Sequence, residues 1–199
     1  MTLKKILAVA ALVCTSLVVS ANAWAGPATD MVKAKQTELF TVVAKPKTDA
    51  RQEKLRALFD EVLAYRVFAV NSLGKKWGDL SFAEQQKFSE LLTKLVRNNY
   101  RRNLKKMLDY EIQYVGEKAK GDGTLVMTRA KHKTDAREPV IEIDFLLSTV
   151  DGKLMIVDII TERASLVKTY KSQFLRILRK KGFDKLIEKM EKKLAKQKK

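Results

Sequence analysis

The chain has 199 residues, a formal net charge of +17 and one cysteine, Cys14. A lone cysteine excludes a disulfide-stapled scaffold and a zinc site built from thiolates, since both need several cysteines. The excess of positive charge favours an anionic partner, either an anionic membrane surface or an acidic protein. A solvated basic face explains any single lysine equally well.

The first 25 residues have the pattern of a cleaved secretory signal peptide. Lys4 and Lys5 form a positive start, Ile6–Val19 is apolar, and Ala21–Ala25 holds two overlapping small-x-small cleavage signals. The apolar run is short for a bilayer span, although an uncleaved anchor is the alternative. We therefore expect an exported protein in which residues 26–199 form a single domain with a basic C-terminal tail. Nucleic acid is not expected as a partner outside the cytoplasm.

The N-terminal part of this domain is predicted to be helical. Apolar residues recur at helical spacing in Ala28–Val43, in a second segment capped by Thr48-Asp49, and in a short piece from Val67 to Leu73. A capping box then opens the longest helix, Phe82–Leu108.

From Asp109 the apolar period changes from about 3.6 residues to two, which predicts strands. Gly116–Gly123 is predicted to be a polar turn, and Asp151-Gly152 between two apolar runs predicts a hairpin. Helices return after Ser165, with a stop at Gly182 and a last helix over Phe183–Leu194. The fold class is therefore α+β, with helices on either side of a curled antiparallel meander. Its four predicted strands are Tyr110–Tyr114, Thr124–His132, Pro139–Ser148 and Lys153–Thr161.

The fourth predicted strand is apolar at both parities. A strand with one wet face alternates apolar and polar residues, whereas Leu154–Val157 and Ile159-Ile160 do not. Something apolar must cover both faces of this strand. It is either protein on both sides, or protein on one side and a ligand on the other.

The sequence argues against an enzyme. Its only histidine, His132, lies between two lysines in a loop, without the shielded site that a catalytic imidazole needs. No glycine-rich phosphate loop or nucleophile elbow is present. Asp158 is the one acid in the most apolar strand, and a hydrogen-bonded structural carboxylate is the favoured interpretation over a catalytic one.

Three segments carry recognisable motifs. The first joins Leu73-Gly74-Lys75-Lys76-Trp77 to Ser81–Phe88 (SFAEQQKF), the second is Tyr100 in the long helix, and the third is Val157–Phe174 (VDIITERASLVKTYKSQF). Together they resemble the MlaC family, periplasmic phospholipid shuttles once named for toluene tolerance. With the element order, the resemblance covers essentially all of residues 28–195.

The resemblance implies a soluble carrier in the periplasm of a Gram-negative bacterium. Such a carrier encloses phospholipid acyl chains in an apolar cavity between sheet and helices and needs no cofactor or metal beyond this cargo. It implies two protein partners, an inner-membrane ABC transporter complex with an MCE-domain ring and an outer-membrane lipoprotein–porin complex. The role implied is transport that maintains outer-membrane lipid asymmetry.

Candidate cavity residues follow from the strands and from the helix stripes that would face them. Three cations near the end of the long helix are candidates for contact with the lipid head group or a membrane, although the helix dipole also explains their position. The lipid-binding candidates are Phe68, Leu92, Val96, Tyr100, Leu125, Met127, Ile143, Phe145, Val157 and Ile159, and the head-group candidates are Arg101, Arg102 and Lys105. Either face of each strand could point into the protein instead.

Two departures from the family pattern leave alternatives open. Arg163-Ala164 stands where the family usually has Gly-Val, and arginine adopts a positive φ less easily than glycine, so the turn there can differ. Lys171 stands where the family usually has Arg, so the two parallel hydrogen bonds of a guanidinium group are lost. The alternatives are a carrier of another apolar lipid, hopanoid-like in character, and an envelope adaptor without lipid cargo.

Overall fold

The computed structural model describes residues 26–198, so the predicted signal peptide and Cys14 lie outside the described residues. Four helices precede a sheet, and a long broken helix follows it, which confirms the predicted α+β class. The helices are α1 (Pro27–Val43), α2 (Asp49–Val62), α3 (Tyr65–Leu73), α4 (Phe82–Leu104) and α5 (Leu166–Lys198). The strands are β1 (Tyr110–Lys120), β2 (Gly123–His132), β3 (Ile141–Val150), β4 (Lys153–Thr161) and β5 (Ala164–Ser165).

The helix boundaries follow local signals in the sequence. The Thr48 hydroxyl accepts the backbone N–H of Arg51 at 3.2 Å and caps α2. The predicted capping box is present at α4, where the Glu84 carboxylate accepts the backbone N–H of Ser81 at 2.8 Å. Gly182 breaks α5 with a φ of 78°, a conformation that glycine adopts without strain.

The long helix is shorter than predicted. α4 ends at Leu104, and a separate 3-10 helix, Lys106–Asp109, leads into β1. A second 3-10 helix, Gly74–Trp77, follows α3. The apolar stripe continues past the end of α4, so periodicity alone could not reveal that the backbone tightens there.

The sheet is an antiparallel meander in the order β1-β2-β3-β4-β5. The predicted count of four strands is wrong by one, because β5 has only two residues and such a short strand leaves no periodic pattern. Its residues Ala164 and Ser165 pair with Thr161 and Ile160.

The first strand is also longer than predicted. The expected turn at Gly116–Gly123 is instead strand as far as Lys120, since a bulge between Tyr114 and Gly116 lets the pairing with β2 continue. The charged residues of this segment are on an edge strand, where polar side chains discourage pairing with a second molecule.

The turn into β5 adopts an unusual backbone. Glu162 and Arg163 both have positive φ, 49° and 64°. Two positive φ values are typical of the tight hairpin turns that favour Asn-Gly. Arg163 therefore adopts the left-handed conformation although its side chain makes it less favourable than glycine would.

The solid core lies between α3, α4 and α5. Phe88 contacts Trp77 and Phe174 edge to face, with ring centroids 6.4 and 5.4 Å apart, and Phe174 stacks on Tyr170 at 5.1 Å. This packing fills one end of the domain. The other end, between the sheet and the N-terminal helices, is hollow.

Candidate functional site

A cavity of about 370 Å³ lies between the inner face of the sheet and helices α1, α2 and the end of α4. Most of its lining is aliphatic or aromatic. The apolar lining residues are Val32, Leu39, Phe40, Phe59, Val62, Leu63, Tyr100, Leu104, Met107, Tyr110, Ile112, Ile141, Ile143, Phe145, Ile156 and Ile159.

The floor of the cavity is built around β3. Ile141, Ile143 and Phe145 alternate along this strand and all line the cavity. Phe145 pairs with Val126 on one side and with Ile159 on the other. Thr128 of β2 and Ile159 of β4 line the cavity beside β3, so the floor spans three neighbouring strands.

A bulge in β4 places two more isoleucines on this floor. Leu147 pairs with Ile156 and Leu146 with Asp158, so Val157 is the extra residue on β4. An extra residue reverses the alternation of side chains beyond it. Ile156 and Ile159 therefore both line the cavity.

The roof comes from three helices. α1 contributes Val32, Leu39 and Phe40, and α2 contributes Phe59 and Val62. Val32 lies seven and eight positions before Leu39 and Phe40, and Phe59 lies three positions before Val62, so each helix presents these residues on one face. The end of α4 adds Tyr100 and Leu104, so three helices cover the cavity.

Two polar residues of the cavity wall, Lys35 and Gln36, are paired with side chains outside the lining. Lys35 forms ion pairs with Glu61 at 2.8 Å and Glu38 at 3.2 Å, and the hydrogen bond that Lys35 donates to Glu61 raises the pKa of its ammonium group. The Tyr114 hydroxyl donates to the Gln36 side-chain oxygen at 2.6 Å, which links β1 to α1.

The polar groups in the interior of the cavity wall are neutral. The hydroxyl of Thr128 donates to the carbonyl of Ile143, so its polarity is satisfied within the sheet. Burial raises the pKa of the Tyr114 phenol to about 12, and burial likewise raises the pKa of the Tyr100 phenol. Both tyrosines stay neutral at physiological pH. The site therefore suits an apolar ligand that needs few specific polar contacts.

Four of the ten predicted lipid-binding residues line this cavity, and six do not. Tyr100, Ile143, Phe145 and Ile159 are among its walls. Phe68, Leu92 and Val96 are instead fully buried in the solid core, because the helix faces that carry them pack on other helices.

The other three predicted residues that do not line the cavity belong to strands. Leu125 pairs with Leu146, so Leu125 and Met127 lie on the opposite face of the sheet from Val126, which pairs with the cavity residue Phe145. Val157 is the bulged residue of β4. Other lining residues were not predicted although the sequence carried a signal for them. Ile112 and Ile141 alternate with polar residues on their strands. The helical stripes of α1 and α2 contain Val32, Leu39 and Phe59.

Two lysines that were not predicted line the cavity, Lys35 and Lys106. Of the head-group candidates, Arg101 and Lys105 are exposed near the end of α4, and an Arg101 nitrogen donates to the Gln52 side-chain oxygen at 3.2 Å. The Arg102 side chain lies outside the described part of the chain. Lys106 follows Lys105 directly in the sequence, and this position beside the predicted cations could have indicated it as a further candidate.

The two residues considered for catalysis both have structural partners. His132 Nδ1 accepts the backbone N–H of Asp135 at 2.9 Å. Asp158 is buried, and its carboxylate accepts the Ser165 hydroxyl at 2.5 Å and the backbone N–H of Val167 at 3.1 Å. Asp158 thus holds the beginning of α5 against β4.

Within residues 26–198, no helix is both long and apolar enough to cross a bilayer. In the same range no group of three or more His, Cys, Asp or Glu side chains is placed to hold a metal ion.

Fold and cavity together define an α+β protein in which one antiparallel sheet and its helices enclose an internal apolar chamber. The family model described as MlaC protein matches residues 33–192. The chain therefore belongs to the MlaC family, as the motifs predicted.

A solved structure of a phospholipid-binding protein from Ralstonia solanacearum, in complex with a phospholipid, has the same fold. Its TM-score is 0.73 at 19% sequence identity, and the match covers 87% of this chain and 100% of the other. No curated protein sequence matches the chain.

Proposed function

We propose that this protein is a soluble periplasmic carrier that holds the acyl chains of a phospholipid in its cavity. The apolar cavity of about 370 Å³ supports this proposal most directly. Membership of the MlaC family and the fold shared with a phospholipid-binding protein support it further. The apolar fourth strand and the absence of recognisable catalytic motifs in the sequence fit the same function.

The physical task of such a carrier is to replace the bilayer around the chains. Each methylene group in water costs about 0.8 kcal/mol, so one sixteen-carbon chain costs on the order of 12 kcal/mol. The cavity must offset this cost without much exceeding it, because a tighter site would not release its cargo. A largely apolar lining with few polar groups suits both requirements.

In this proposal the carrier moves phospholipid between the outer and inner membranes as part of an Mla-type ABC transport system. Its partners would be an inner-membrane complex with an MCE-domain ring and an outer-membrane lipoprotein–porin complex. Transport of this kind maintains the lipid asymmetry of the outer membrane. The protein acts by binding and release, with no enzymatic step. The predicted signal peptide would provide its export.

The head group is expected near the end of α4, where Asn103 and Lys106 make the cavity wall polar. Lys106 lines the cavity there, and Arg101 and Lys105 are exposed close by in the chain. Cations at this position would contact the phosphate while the chains remain inside.

Lipid extraction from protein purified from cells, followed by native mass spectrometry, tests this function. We expect phospholipid to co-purify with the wild-type protein. Ile143→Trp, which fills the cavity, should reduce the bound lipid, whereas Leu146→Trp on the opposite face of β3 should not. A hopanoid-like ligand would change the cargo class, and repeated recovery of a lipid-free, folded protein would favour the adaptor alternative.

A further inference from the structure

A second, shallow site, the basic groove, lies where the turn before β5 meets the first turns of α5. Its charged lining residues are Arg163, Lys168 and Arg176, and Thr169 and Ser172 add hydroxyl groups between them. None of the lining residues, all within the described part of the chain, is acidic. The groove therefore presents positive charge without an internal counterion.

The cations of the basic groove are largely free to meet a partner. Arg163 is 92% exposed, and its one ion-pair neighbour is Glu142 at 4.0 Å, the outer limit for such a contact. Lys168 and Arg176 are exposed and have no ion-pair partner among residues 26–198. By contrast, Lys185 and Lys192 further along α5 are both paired with Glu188.

The spacing of these charges suits an extended ligand. Lys168 and Arg176 are eight residues apart, which is about 12 Å along a helix. Arg179 continues the same exposed face one turn further. Charges spread in this way do not converge on one phosphate, but they match a chain segment that carries several carboxylates.

The composition of the groove favours a protein over a bilayer. Helices that bind bilayers insert apolar side chains into the lipid. The apolar side chains at the start of α5, Val167, Tyr170 and Phe174, are at most 9% exposed because they pack in the core. The positive φ of 64° at Arg163 shows that the turn holds a charged side chain where glycine would be less strained.

We propose that the basic groove docks an acidic, carboxylate-rich segment of a protein partner. The groove is separate from the cavity, with no lining residue in common, so the proposal does not depend on which lipid the cavity holds. Docking through charges in this arrangement would steer the partner to one face of the carrier and weaken as salt is added.

The test uses the protein purified from cells and a fluorescent glutamate-rich peptide of about eight residues, long enough to cover the groove at roughly 3.3 Å per residue. The triple variant Arg163→Gln, Lys168→Gln, Arg176→Gln removes three charges from the groove. A matched control, Lys47→Gln, Lys54→Gln, Lys153→Gln, removes three exposed charges elsewhere. Fluorescence anisotropy at low and high salt measures peptide binding, and circular dichroism confirms the fold of each variant.

We expect the groove variant to bind the peptide about tenfold more weakly, with a shallower dependence on salt, and the control to bind within about twofold of wild type. Equal weakening in both variants would overturn the proposal, since binding would then report net charge alone. Groove-dependent binding of phosphatidylglycerol vesicles without peptide binding would overturn it in favour of a membrane. Bound lipid, measured in parallel, should be the same in all three proteins, so loss of the proposed carrier function is recognised separately.

Discussion

Ile156 and Ile159 both line the cavity, although an odd number of positions separates them on one strand. Strict alternation would place them on opposite faces of the sheet. The extra residue, Val157, reverses the alternation, so the bulge adds one more apolar side chain to the floor. The same bulge turns Asp158 away from the cavity, towards the start of α5.

This arrangement predicts that Ile156→Trp and Ile159→Trp each reduce the lipid that co-purifies with the protein, because both side chains would occupy cavity volume. Met155→Trp is the control, since Met155 is half-buried and does not line the cavity. Native mass spectrometry gives the lipid-to-protein ratio. If only one of the two isoleucine variants lost lipid, the bulge would not place both side chains in the site.

Asp158 is predicted to matter for stability and not for chemistry. Asp158→Ala leaves the backbone N–H groups of Ile159 and Val167 and the Ser165 hydroxyl without their acceptor. We expect the free energy of unfolding to fall by about 2–3 kcal/mol in a urea titration.

Asp122→Ala, in the exposed turn before β2, should change the free energy of unfolding by less than about 0.5 kcal/mol. The more conservative Asp158→Asn, combined with His132→Ala, should retain lipid binding in the folded protein. Loss of lipid binding without loss of stability in that double variant would assign these residues a direct functional role.

Two half-buried tyrosines predict alkaline sensitivity. Burial raises the pKa of Tyr114 and of Tyr65 to about 12, above the value near 10 of an unfolded chain. Their contribution to stability is therefore fully present below about pH 10 and is lost as the pH rises towards 12. The double variant Tyr65→Phe, Tyr114→Phe should show a flatter decline of unfolding free energy over this range in urea titrations. If the unfolding free energy of the double variant declined as steeply as that of the wild type, the two tyrosines would not be its cause.

The left-handed conformation of Arg163 predicts a stabilising substitution. Arg163→Gly should raise the free energy of unfolding by roughly 0.5–1 kcal/mol, since glycine adopts a φ of 64° without a side-chain clash. The exposed ion pair between Arg163 and Glu142 contributes little stability, so its loss should not cancel this gain. Arg163→Ala keeps the Cβ atom and should be close to neutral in the same thermal and urea measurements. A destabilised Arg163→Gly would show that the arginine side chain supports the turn.

The local elements could be predicted because their signals are local. Capping residues such as Ser81 and the break at Gly182 mark helix ends within a few residues of themselves. The alternation of Ile141, Ile143 and Phe145 marks one face of β3 in the same way. Family motifs added the expectation of a cavity, which no local pattern contained.

The lining of the cavity was decided by tertiary structure. β2 offers Leu125 and Met127 on one face and Val126 and Thr128 on the other, and only the pairing of Val126 with Phe145 selects the inward face. In β4 the apolar residues occupy both odd and even positions. The sequence by itself therefore determined that both faces of this strand are covered by apolar groups. The bulge at Val157 decided which side chains face the cavity, because strand register depends on partners distant in the chain.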